Sequence, residues 1–196
     1  FFFSDECVLI ADAYGLAREQ YPDVCNVSRD AAEILDFRDA LATAAIDAKT
    51  VGHLVKRYAA SQAQARTTVD WVCPELPDSC REFSLYLRGT YAIHLGDGDR
   101  LSVPAAWQEL LGLPEENRRF RTTWTLYSMG NLHAFAGRPT QAAGCYQRLR
   151  EVVGSGYRDT LGLAHASWKN EYAAQTDPTR RLIAGATALA YYVNTK

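Results

Sequence analysis

The sequence predicts an all-α chain, and three observations carry that expectation. Apolar residues recur at spacings of three and four through most of the 196 residues. Prolines fall where such periodic segments start or stop, and the breaks between segments are short and turn-like. No stretch sustains the period-two alternation of a half-buried strand.

The elements follow in order. Ser4 is placed to cap a first helix over about 5–20, ended by Tyr21-Pro22. Ser28 is placed to cap a second over about 29–46, carrying Ala31, Ile34, Leu35 and Leu41. A third is expected over 49–72, opening with Val51, Leu54, Val55 and Tyr58, before Pro74 and Pro77 break the pattern. The fourth, about 79–95, holds Phe83, Leu87, Tyr91 and Leu95, and the polar turn GDGD follows it. A short helix near 104–112 starts at Pro104 and ends at Leu113-Pro114. Four more are expected near 115–136, 139–154, 157–175 and 178–193, with Pro139 and Pro178 in first turns. Breaks are expected at Gly137, at 154–156 and at Asp177.

Residues 129–149, MGNLHAFAGRPTQAAGCYQRL, show the pattern most clearly. Leu126, Met129 and His133 form a stripe before the turn, and Ala142, Tyr146, Leu149 and Val153 form one after it. The segment reads as an αα-hairpin in which Gly130 and Ala142 let two helices approach closely. Gly89 and Gly96 are spaced like Gly130 and Gly137, and the two pairs are offset by 41 residues. Ala164 lies 34 residues beyond Gly130 in a further hairpin. Recurrence with insertions is what stacked helix pairs with unequal loops produce.

On these residues the chain resembles the tetratricopeptide-like helical repeats. The match is best over 123–156, where Leu126, Met129, Gly130, His133, Gly137, Ala142, Tyr146 and Leu149 occupy the motif's packing positions. Leu126 replaces the usual Trp, His133 the usual Tyr, and Gly154 the terminal Pro. The hairpin 157–193 is a degenerate match, and 80–113 is weaker. The resemblance implies a right-handed α-solenoid of such hairpins over 79–196, with a divergent helical region at 1–78. One continuous domain is the other reading of that division. It also implies a concave groove lined by Trp124, Tyr127 and Asn131, and on the next first helix by His165, Trp168 and Lys169. Asn131 with Lys169 looks like part of the arrangement that holds a peptide carboxylate in some family members, and the rest of that arrangement is missing. Trp124 and Trp168 have a second reading, as fillers between adjacent hairpins.

Composition narrows the function classes. The formal charge is -2 and the pI about 6.1, which gives no basic footprint for nucleic acid. Of 21 basic residues, 17 are Arg and 4 are Lys, so positive charge is carried mostly by planar forks suited to carboxylates and stacking. Biased codon usage accounts for the same excess equally well. No run of 18 apolar residues occurs, so no transmembrane segment is expected. The chain opens FFFSDE rather than with Met, which fits a processed or truncated product.

The cysteines are Cys7, Cys25, Cys73, Cys80 and Cys145, with no CxxC. A disulfide is expected between Cys73 and Cys80 across CPELPDSC, which points to a secreted, periplasmic or cell-envelope protein; two unpaired thiols and a cytoplasmic protein are the alternative. Cys7 with Cys25 is a weaker pairing, and Cys145 reads as a small core residue. There is no HExxH, GxSxG, Gly-rich phosphate loop or full calcium loop. Asp97 and Asp99 read as a polar turn, His133 as a packed ring, and Asn26-Val27-Ser28 only formally as a glycosylation acceptor. No catalytic residue, metal or cofactor is expected.

The expected role is therefore a non-catalytic binding or scaffold module that presents a groove to a peptide or protein, or to a glycan or other polymer. The alternative is an all-helical enzyme, or a substrate-binding component of an enzymatic pathway, with Glu82, Asp78 and Arg81 in a deep pocket near the CPELPDSC loop. A third reading is a structural piece of a larger repeat protein, because the apolar last helix ends at YYVNTK without a polar cap.

Overall fold

A computed structural model describes residues 29–94 and 101–194. Among them are eight α-helices and no strand: α1 (Arg29–Thr43), α2 (Ala48–Gln64), α3 (Arg81–His94), α4 (Ala105–Gly112), α5 (Thr122–Phe135), α6 (Pro139–Gly154), α7 (Leu163–Ala174) and α8 (Pro178–Asn194). The chain is all-α, as its periodicity requires. The expected helix 5–20 with Ser4, the Ser28 cap, Cys7, Cys25, Asn26, Gly96, Asp97 and Asp99 lie outside the described residues.

Helix starts have local causes. Asp47 caps α2 by accepting from Lys49 N at 3.1 Å and Thr50 N at 3.0 Å. Pro139 opens α6, after Gly137 has turned the chain with φ +69°. Asp159 accepts from Leu163 N at 2.7 Å and Ala164 N at 3.0 Å at the start of α7.

Three expected boundaries move. The helix expected to reach residue 72 stops at Gln64, because the chain turns back on itself. Trp71 Nε1 donates to Ser61 Oγ at 2.9 Å, and the Trp71 ring lies 5.3 Å from that of Tyr91. The helix expected from 115 begins at Thr122, after a 3-10 turn, Glu115–Asn117, and a non-helical Arg118. The helix expected from 157 begins at Leu163, because Arg158 N bonds Arg119 O at 2.9 Å and Gly162 takes φ +66°.

Consecutive helices pack as neighbours in the pairs α1–α2, α3–α4, α4–α5, α5–α6, α6–α7 and α7–α8, and α5 also packs on α7. Two apolar clusters result. One joins α1, α2 and α3 through Phe37, Leu41, Tyr58, Phe83 and Leu87, with Phe37 stacked on Tyr58 at 4.3 Å. The other runs from α3 to α7 through Tyr86, Leu110, Trp124, Tyr127, Tyr146 and Leu149. Helix α3 serves both, because Phe83 and Leu87 share one face while Leu85 and Tyr86 lie around the axis.

Two glycines let aromatic rings lie against helix backbone. A Cβ on Gly89 would stand 2.7 Å from Trp107 Cε2, and one on Gly130 would stand 2.8 Å from Tyr146 Cδ1. In each case the ring comes from the following helix. The partner of Gly130 is thus the Tyr146 ring rather than Ala142, which is buried nearby in the same cluster.

Candidate functional site

The six residues expected to line one groove divide among three environments. Trp124 is 3% exposed and Tyr127 2% exposed, so both belong to the core. Trp124 meets Tyr86 edge-on at 6.0 Å and lies 4.3 Å beneath the Arg121 guanidinium. Trp168 is half-buried and turned towards α6, where the Arg150 guanidinium covers it at 3.5 Å. Arg150 is held there by Glu171 at 2.6 Å and Ser167 at 2.9 Å. Trp124 therefore fills space between helices, the second of the two readings open in the sequence, while Trp168 stays half-buried beside α6. His165 is half-buried near the start of α7, and burial pushes its pKa down against the pull of Asp159.

Asn131 and Lys169 behave differently. Asn131 Oδ1 accepts from the Tyr146 hydroxyl at 2.7 Å and from Asn170 Nδ2 at 2.8 Å. Asn170 Nδ2 also donates to the Tyr127 hydroxyl at 2.8 Å. These bonds tie α5, α6 and α7 together and fix the Asn131 amide through its oxygen. Lys169, next to Asn170 in sequence, is half-buried and in no ion pair among the described residues. Phe135 lies one turn beyond Asn131 on α5 and is 75% exposed. The i, i+4 spacing from Asn131 is the sequence signal for Phe135, hidden by the proximity of the Gly137 turn.

Little in the sequence signals the buried ionic junction that lies between the two apolar clusters. Arg121 and Asp36 are fully buried and paired, and Asp36 also accepts from Thr160 Oγ1 and from Arg158 Nε at 3.3 Å. Phe83 and Tyr86, at 5.0 and 5.6 Å, join Trp124 around the Arg121 guanidinium. Their π-faces meet a cation whose Nε and Nη1 have no hydrogen-bond partner. Glu82 is 3% exposed and accepts from Phe120 N at 3.1 Å and from Arg121 N at 2.6 Å. Burial pushes its pKa up to about 7, although both N–H groups and the Arg121 charge favour the carboxylate. One turn before Asp36 on α1, buried Glu33 accepts from Tyr58 and Gln62, each at 2.6 Å, and pairs with Arg66 at 3.2 Å.

This arrangement places Glu82, Asp78 and Arg81 apart. Glu82 is sealed in the interior, Asp78 is exposed, and Arg81 is exposed and paired with Glu109 at 2.6 Å. A carboxyl with a pKa near neutrality is a familiar sign of an acid–base catalyst, but Glu82 spends both oxygens on backbone N–H groups.

Cys73 and Cys80 are free thiols rather than the expected disulfide. Cys80 closes the 3-10 turn Asp78–Cys80 and points into the α1–α2–α3 cluster, where burial pushes its pKa up to about 11. Cys73 Sγ lies 3.8 Å from both Pro74 O and Ser84 O. The redox ground for an oxidising compartment is thereby withdrawn. Among the described residues no group of His, Cys, Asp and Glu is arranged to hold a metal ion, and no helix is long and apolar enough to cross a membrane. Compared with known proteins, the chain matches no protein-family model, no curated protein and no solved structure.

Proposed function

We propose that this chain is a non-catalytic binding module, a short α-solenoid of tetratricopeptide-like hairpins whose open α5–α7 face takes up a carboxylate-bearing peptide. One observation carries the reading. The Asn131 amide oxygen is held by Tyr146 and Asn170, and Lys169, next to Asn170 in α7, is paired by no carboxylate among the described residues. Pre-orientation lowers the entropic cost of binding, and an ammonium beside an amide donor suits a carboxylate. Phe135 supplies an exposed apolar anchor one turn away. The order of packing, with each helix from α3 to α8 on the next and α5 on α7, supports the solenoid.

The test is fluorescence anisotropy of the parent with a library of peptides carrying either a free or an amidated C-terminus. Free carboxylates are expected to bind better. Phe135→Ala is expected to cost roughly 2 kcal/mol, about thirtyfold in affinity, and Lys169→Ala to remove the preference for the free carboxylate. Equal binding by parent and both variants would move the site elsewhere.

A further inference from the structure

Arg118 and Arg119 precede α5, and both guanidiniums lie against the Tyr157 ring, 5.5 and 5.9 Å from its centroid. Three other buried or half-buried arginines have carboxylate partners. Arg121 has Asp36, Arg150 has Glu171, and Arg66 has Glu33 and Asp30. Arg118 has none among the described residues, although it is only 8% exposed. Its Nε donates to Leu113 O at 2.9 Å, while its Nη1 has no partner. Tyr157 is 6% exposed, and its hydroxyl has no partner either. Arg119 is exposed and has no carboxylate partner among the described residues. The next cation along, Arg158, is committed to Asp36 and Asp39. Glu115 and Glu116 are exposed and form no ion pair with either arginine.

The surroundings are rigid. Arg158 N donates to Arg119 O at 2.9 Å and Thr123 Oγ1 to Arg158 O at 2.7 Å, so the segment before α5 is bonded to the segment after α6. Thr122 Oγ1 donates to Arg118 O at 2.5 Å. Two like charges thus lie against one ring, one of them largely out of water, and two buried donors there, Arg118 Nη1 and the Tyr157 hydroxyl, are unused. Such a charge costs free energy unless an opposite charge joins it. A doubly charged tetrahedral anion matches two guanidiniums and a hydroxyl better than a singly charged carboxylate does.

We propose that Arg118, Arg119 and the Tyr157 hydroxyl form a binding site for a phosphate-class oxyanion. The exposed Arg119 side chain is its outer wall, and movement of that side chain admits the anion to Arg118 and Tyr157. The site lies at the start of α5, away from Asn131 and Phe135 near its end.

Isothermal titration calorimetry of the full chain tests this, with inorganic phosphate and phenyl phosphate as probes at ionic strength matched with chloride. Saturable binding of phosphate at one site is expected. Arg119→Gln should weaken it at least about tenfold, Tyr157→Phe should weaken it less, and Arg57→Gln, at an exposed arginine of α2, should leave it unchanged. Arg119 is exposed, so its variant keeps the test valid even where Arg118→Gln fails to fold. Tighter binding of phenyl phosphate would identify an esterified ligand, and equal binding a free ion; both uphold the site. Heats no different from chloride, or unchanged binding by Arg119→Gln, would overturn it.

Discussion

Gly130 lies so close to the Tyr146 ring that a Cβ on it would stand 2.8 Å from Cδ1 and nearer still to Cε1. Tyr146 is fully buried and its hydroxyl is bonded to Asn131, so the ring has little room to retreat. Gly130→Ala should therefore destabilise the protein by about 1–3 kcal/mol, despite alanine's better helix propensity. Gly144 in α6 is exposed, with open space where a Cβ would stand, and Gly144→Ala should stabilise by up to about 1 kcal/mol. Urea unfolding of both variants measures the contrast. Equal effects would mean that helix propensity, not the ring, decides position 130.

The Asp36–Arg121 pair should be costly to break and much less costly to remove. Arg121→Met keeps bulk among Phe83, Tyr86 and Trp124 but strips Asp36 of its buried cation, for an expected loss of about 3–5 kcal/mol. Asp36→Asn added to Arg121→Met should recover part of that loss, because the uncompensated charge is gone. A double-mutant cycle by chemical denaturation measures the coupling.

Glu82 makes stability depend on pH near neutrality. Its folded pKa is about 7 against an ordinary value of 4.5, so between these values the folded state holds a proton that the unfolded state has lost. Its contribution is fully present below about pH 4.5 and is lost as the pH rises through about 7. The loss amounts to about 3 kcal/mol for a shift of this size. Glu82→Gln should flatten the fall in stability between about pH 5 and 7, measured by denaturant unfolding across that range. An unchanged slope would assign the dependence to another group.

The cysteines should differ in reactivity. Buried Cys80, its pKa pushed up to about 11, should resist alkylation in the native state, while half-buried Cys73 reacts first. Mass analysis of iodoacetamide-treated native protein reads the order, and full modification of both only after unfolding is the expected result.

Much of the helical framework is legible because local chemistry writes it. Pro139 and Gly154 bound α6 where the sequence puts its ends, and Pro178 opens α8. The misplaced boundaries have causes distant in sequence. Glu82 draws in the N–H groups of Phe120 and Arg121 across 38 and 39 residues, and Trp71 folds back onto Ser61. The groove is only partly legible for a related reason. Helical spacing puts Trp124 and Tyr127 on a shared stripe, but whether that stripe is open depends on Tyr86 and Arg121, whose approach no local pattern records. Asn131 is identifiable from its spacing. Its partner Asn170 lies one residue past Lys169, and only the approach of α7 to α5 distinguishes it.

The buried pair of Asp36 and Arg121 also sets an order of events during synthesis, since the partners are 85 residues apart. At translation rates of about 5–20 residues per second, Asp36 is made roughly 4–17 s before Arg121 exists. Local pairing of α1 with α2, through Phe37 and Tyr58, has time to form in that interval, while the carboxylate of Asp36 remains in water. The nascent chain must therefore keep one flank of the α1–α2 hairpin wet until α5 arrives to dry it.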